Sequence, residues 1–199
     1  MRTICRCSTG CGRASGRWRQ LTLRPPSQPP RDWRASELLL GGTTTVLTME
    51  TVHDTDAVFE ALELTGLRAV VGKGMMDADD AAPARLLEQT QASVDESLAL
   101  ARRWDGRANG RLRTAFAPRF AVSCSRELLE AVAHLSRQHS LLVHSHASEN
   151  QDEVALVRQR TGFGNVEYLS HIRLAAPHVC LRTACGWTTA SRRSSPSIT

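Results

Sequence analysis

The 199-residue sequence predicts an α/β fold built on a parallel sheet. Three observations carry that prediction. Short β-branched or apolar runs alternate with segments of helical period, in the order strand, helix, strand, helix, strand, helix, strand, helix, strand. That alternation calls for right-handed crossovers between parallel strands. The run Leu141-Leu142-Val143 then ends in His144-Ser145-His146, with Glu149 three residues on, as a buried strand carrying polar groups at its carboxyl end would read.

The elements follow in chain order. Residues 1–35 are rich in Arg, Cys, Gly, Ser and Pro, hold no apolar period and are expected to form an irregular arm. Ser36 to Leu40 reads as the last turn of a helix stopped by Gly41-Gly42. Thr43 to Met49 is a β-branched strand, and Asp54 is placed to cap a helix running to Thr65 and ending at Gly66. Leu67 to Lys73, continuing towards Met75 and Met76, is the next strand. After a polar loop through Asp80, a long helix is expected from about Ala82 to Trp104, with Leu87, Val94, Leu98 and Ala101 on one face. Arg111 to Ala117 is the third strand, followed by a loop at Pro118-Arg119-Phe120. Ser125 caps a helix whose core face is Leu128, Leu129, Val132 and Leu135. After the central strand come helices at about Gln151–Arg160 and Val166–His171, then a strand from His178 to Leu181. Residues 182–199 read as an irregular tail. This order fits a doubly wound sheet and a (β/α)8 barrel alike. No Gly-x-Gly-x-x-Gly follows a strand, which argues against a dinucleotide site.

Composition narrows the class. The net charge is +5, from 25 Lys and Arg against 20 Asp and Glu, but the excess sits in the two ends while the middle is mildly acidic. The basic ends contain no Lys and no amphipathic period, so nucleic acid is not the expected partner. No apolar run reaches the ~18 residues of a membrane span, and the N-terminus has charge without an apolar core, so neither membrane insertion nor secretion is expected. A cytoplasmic location with reduced thiols follows as the expectation for the six cysteines. Cys5, Cys7 and Cys11 have no second pair at zinc-finger spacing.

The stretch from His144 to Glu149 carries the chemistry. A neutral imidazole at a strand's carboxyl end can bind zinc, and a nearby carboxylate can move protons for an activated water. With Gly42-Thr43-Thr44-Thr45, Thr51-Val52-His53, Pro118-Arg119-Phe120 and Ser123-Cys124-Ser125, the run His144-x-His146-Ala147-Ser148-Glu149-Asn150 resembles the metal-dependent amidohydrolase superfamily. The branch it is most similar to deaminates adenosine-like nucleosides: the 5'-deoxyadenosine and methylthioadenosine/S-adenosylhomocysteine deaminases. Guanine deaminase and the triazine hydrolases are relatives. The resemblance runs from about Glu37 to Leu181.

It implies a partial TIM (β/α)8 barrel, about the second to sixth strands, over residues 36–181. It implies His146 as a ligand of a divalent metal, zinc first among them. It also implies Glu149 as the acid/base that moves a proton from water to the substrate, and Arg119 and His53 as substrate contacts. His144 is assigned to packing behind the site.

The rest of that superfamily's ligands are missing from this sequence. There is no His-x-His of a first strand, and Leu181-Arg182-Thr183 stands where Leu-Ala-His is expected. Back-translating Leu181–Ala190 with GC-rich codons and restoring one base gives Leu-Ala-His-Gly-Val-Arg-Leu-Asp-Asp-Gly. A similar shift of Arg2–Gln20 gives a stretch resembling the segment before Gly41. The expectation is therefore a fragment frameshifted at both ends and inactive alone. The functional expectation is hydrolytic deamination of a small-molecule nucleoside or purine, in a chain able to form a homo-oligomer. The alternatives are a non-catalytic α/β module that binds a partner or RNA, and another amidohydrolase such as a guanine deaminase or chlorohydrolase. Metal content separates the first alternative, and a substrate panel the second.

Overall fold

A computed structural model describes residues 32–79 and 82–182; the expected tail beyond 182 and all but the end of the expected arm lie outside them. Six helices longer than one turn and five strands follow in order: α1 (Asp32–Leu40), β1 (Thr45–Met49), α2 (Thr55–Thr65), β2 (Arg68–Met75), α3 (Thr90–Trp104), β3 (Leu112–Pro118), α4 (Arg126–Gln138), β4 (Leu142–His146), α5 (Gln151–Thr161), α6 (Asn165–His171) and β5 (Val179–Arg182). Every neighbouring pair is parallel and the spatial order is β1-β2-β3-β4-β5.

That order decides between the two topologies the sequence allowed. A doubly wound sheet reverses direction at a switch point. Here the chain advances one strand at a time, as in a (β/α)8 barrel. The described residues form a half-barrel.

Alternation along each strand sends one set of side chains to the helices and the other to the concave face. Val71, Met75, Phe116 and Val143 belong to the first set and pack with Phe59, Val94, Leu100, Trp104, Leu128, Leu129 and Val132 in two clusters. Leu128, Leu129 and Val132 are fully buried, as the period of α4 predicts, each stabilising the fold by about 1.5–3 kcal/mol relative to exposure. On the opposite face lie Gly72 and Gly74 of β2, Ala115 and Ala117 of β3, and His144 and His146 of β4. A Cβ at Gly72 would fall 2.5 Å from that of Ala117, and one at Gly74 2.7 Å from the Glu50 carbonyl oxygen. The concave face is therefore lined by minimal side chains beside the two imidazoles.

Two polar knots join strand ends to helices. Lys73, on the helix side of β2, is 2% exposed and its Nζ lies 2.5 Å from Glu88 Oε2, 3.5 Å from Glu96 and 3.4 Å from Ser93 Oγ. Asp77, just past β2, accepts bonds from Ser125 N–H and Ser125 Oγ, both 2.6 Å, and from Thr90 Oγ1 at 2.7 Å.

Some expectations are corrected. α3 starts at Thr90, not Ala82: residues 84–86 form one 3-10 turn, and Glu88 is drawn off by Lys73 and by its N–H bond to Met76. Leu87 packs with Val52, Met76 and Leu86 instead of on the α3 face. α1 begins at Asp32, inside the span read as an irregular arm. Asp54 precedes α2 but sits at φ 61 and its side chain caps nothing. Ser125 does cap α4, accepting from Leu128 N–H at 3.1 Å, and Gly66 closes α2 at φ 78.

Candidate functional site

The carboxyl ends of β3, β4 and β5 converge on His146. Its backbone N–H donates to the Arg119 carbonyl at 3.2 Å, and the next N–H, of Ala147, donates to the Arg182 carbonyl at 3.1 Å. Ser145, facing away, donates from its Oγ to the Pro118 carbonyl at 2.7 Å. The last residues of β4 are thus pinned to both neighbours, which fixes where the imidazoles point.

His144 and His146 share the concave face with ring centroids 5.8 Å apart. They are 2% and 7% exposed. Burial pushes the His144 imidazole down to about 4, with the His146 ring adding to the shift and the Thr48 backbone only partly opposing it. Among the described residues, no well-aligned hydrogen bond reaches either ring nitrogen of His144. Burial also lowers His146, against the pull of the Glu149 carboxylate and the Arg119 backbone. Both rings are neutral at pH 7, the form a metal binds.

Phe120 and Arg119 complete the wall. The Phe120 ring lies 5.0 Å from the His146 ring at 35°, and the Arg119 guanidinium sits 5.3 Å over Phe120 with Nη1 3.5 Å from the Met76 sulfur. Arg119 is half-buried at the strand mouth, where an anion or a polar heterocycle could meet it. After His146 the chain turns at Ser148, φ 58, so that Glu149 follows at the mouth and Asn150 caps α5 by accepting Glu153 N–H at 2.8 Å. The Glu153 carboxylate reaches back beneath this turn to the N–H groups of Ser148, 3.3 Å, and Glu149, 2.7 Å.

Of the residues singled out from the sequence, His146, Glu149, Arg119 and His144 come together. His53 lies in the loop after β1, with its Nε2 2.7 Å from the Arg85 carbonyl. Phe120 and Glu153 were not foreseen as site residues. For Glu153 a signal existed: Asn150-x-x-Glu153 has the spacing of a capping box. Among the described residues, no three His, Cys, Asp or Glu side chains gather as a metal-holding set. His146, buried and neutral at a strand end, fits one ligand position of such a set. Cys124 is no candidate: burial pushes its thiol up to about 12, and Sγ rests 3.3 Å from the Met75 carbonyl.

Known proteins share both sequence and fold with this chain. Residues 34–194 match the model of the amidohydrolase family. The 5'-deoxyadenosine deaminase of Methanothermobacter thermautotrophicus is 33% identical over 151 residues, 76% of this chain and 33% of that protein. The guanine deaminase of Escherichia coli is 41% identical over 125 residues, 61% of this chain and 28% of that protein. Among solved structures, the guanine deaminase from C. acetobutylicum with bound guanine superposes with a TM-score of 0.75 at 27% identity, covering 81% of this chain and 39% of that one. The chain spans about a third of the length of the curated relatives it matches.

Proposed function

The chain belongs to the amidohydrolase family, and from that premise we propose that it carries part of the active site of a hydrolytic deaminase acting on an adenosine-like nucleoside or a purine. One observation supports this above the rest. A buried, neutral imidazole, His146, and a carboxylate three residues on, Glu149, stand at one strand mouth beside Arg119.

In this reading water adds to the ring carbon that bears the exocyclic amine, the carbon–nitrogen bond breaks, and ammonia leaves. Glu149 takes a proton from the attacking water and delivers it to the departing nitrogen. Arg119 and His53 contact the substrate. His146 would hold a divalent metal, which we take to be zinc and whose chemistry is to acidify a water to a pKa of roughly 7. In this reading His146 would supply one ligand, and Leu181-Arg182-Thr183 stands where the family resemblance implies another, so the chain alone is expected to be inactive.

The test is a chimera in which residues 36–181 replace the matching segment of the E. coli guanine deaminase. Ammonia release from adenosine analogues or guanine, abolished by Glu149→Gln and accompanied by metal loss in His146→Ala, is the expected result. A folded chimera that keeps its metal in His146→Ala would overturn the reading in favour of a non-catalytic module. Guanine is the second substrate to try, on the strength of the 41% identity to the E. coli guanine deaminase.

A further inference from the structure

We infer that Glu153 is the positioning residue for Glu149: a buried carboxylate that grips two consecutive backbone amides and so sets the direction in which the proton carrier leaves the strand. The inference rests on the proposed role of Glu149, and it concerns a residue that none of the chemistry above uses.

The geometry has three parts. The chain must turn sharply after His146, and Ser148 does so at φ 58, a left-handed conformation that a non-glycine residue adopts only when something holds it. Something must hold it there. The two oxygens of Glu153 divide the work: Oε1 accepts from Ser148 N–H at 3.3 Å and Oε2 from Glu149 N–H at 2.7 Å. Oε1 also accepts from the side-chain amide of Asn165, the first residue of α6, so the grip is tied to a second helix.

A simple structural role does not require this arrangement. A capping-box glutamate returns to the N–H of the cap residue, and glutamine serves there equally well. Glu153 instead passes the cap, Asn150, and binds the two residues before it. Three N–H donors face its two oxygens, so an acceptor with no donor of its own is needed. A glutamine would turn an NH2 group against one of them. Glu153 is 7% exposed, and burial of a carboxylate is costly unless donors such as these hold it. What the fold gains is a fixed backbone at Glu149, and so a defined starting point for the carboxylate that would carry the proton.

The experiment uses the full 199-residue chain and its Glu153→Gln variant, with amide exchange and amide proton shifts read by NMR. In the unaltered chain the Ser148 and Glu149 amide protons should move together with a single acid midpoint, the signature of two N–H groups bonded to one carboxylate. In Glu153→Gln that co-titration should vanish. Exchange at these two amides should rise about tenfold or more, while Val143 to His146 and the α5 amides beyond Val154 keep their rates. Unchanged exchange at Ser148 and Glu149 would overturn the inference. So would a uniform rise across β4 and α5, which is what a mere core residue gives. The co-titration in the unaltered chain decides the matter even if the variant does not fold. In the chimera, Glu153→Gln should lower kcat about 10–100-fold with KM held. If the chimera with native Glu153 releases no ammonia, the deaminase reading fails while the amide data still decide whether the grip exists.

Discussion

Replacing Asp77 by alanine removes a group that fastens the end of β2 to both α3 and α4. Its carboxylate accepts three bonds, two of 2.6 Å from Ser125 and one of 2.7 Å from Thr90. Hydrogen bonds to a charged group contribute about 1.5–3 kcal/mol each. The residue is half-buried, so water takes over part of the lost bonding. Ser125 Oγ also keeps its bond to Leu128 N–H, so the cap of α4 survives. Together these set the expected loss at about 3 kcal/mol rather than the full sum. For a chain of this size that is a fall in Tm of about 6–12 °C. Asp77→Asn, with one acceptor left, should lose roughly half as much. Urea unfolding followed by tryptophan fluorescence measures both. A double-mutant cycle with Ser125→Ala should show coupling of at least ~1 kcal/mol. An Asp77→Ala loss below about 1 kcal/mol, or a cycle that is additive, would refute the reasoning.

Three further outcomes are expected. Gly74→Ala puts a methyl 2.7 Å from the Glu50 carbonyl oxygen and must part β1 from β2; a loss of about 1–3 kcal/mol in the same unfolding assay is the prediction. His144 has its folded pKa depressed from 6.5 to about 4, so between those values the unfolded chain binds more protons. Stability is therefore full above pH 6.5 and falls by about 3 kcal/mol as the pH drops through 4, and His144→Phe should flatten that slope. The Cys124 thiol, buried and raised to about 12, should stay unmodified by iodoacetamide at about pH 8 until denaturant opens the fold, and early modification would contradict its placement.

Much of this molecule was legible in its sequence, for physical reasons. Period and burial coincide in α4, where Leu128, Leu129 and Val132 are the buried face the spacing predicts. The strand ending in His144-Ser145-His146 was legible because a short apolar run that stops at polar residues, after a helix and before another, suits a buried parallel strand. Local signals failed where a distant partner decided the outcome. The start of α3 moved from Ala82 to Thr90 because Lys73, fifteen residues before Glu88, claims that carboxylate. Leu87 lies in phase with the helix by coincidence, and Met76 and Val52 determine where it packs. Asp54 has the chemistry of a cap, but at φ 61 its side chain makes no cap hydrogen bond to α2. The grip of Glu153 needs the turn at Ser148 and an amide from α6, neither of which spacing alone declares. Sheet order also exceeded the sequence, since the same alternation serves a reversing sheet and an advancing one.

Lys73 is the only lysine among the 199 residues, and it is buried between β2 and α3 with its amine against Glu88, Glu96 and Ser93. The molecule thus carries one side-chain primary amine, on a residue that is 2% exposed. Acylating reagents and proteases that cut after lysine meet this side chain only when β2 parts from α3. Their reaction rate counts openings of the fold at a single, known place, with no engineered label. The same holds for any cellular tagging chemistry that works through side-chain lysine amines: on this chain it reads the opened fraction and not the folded one.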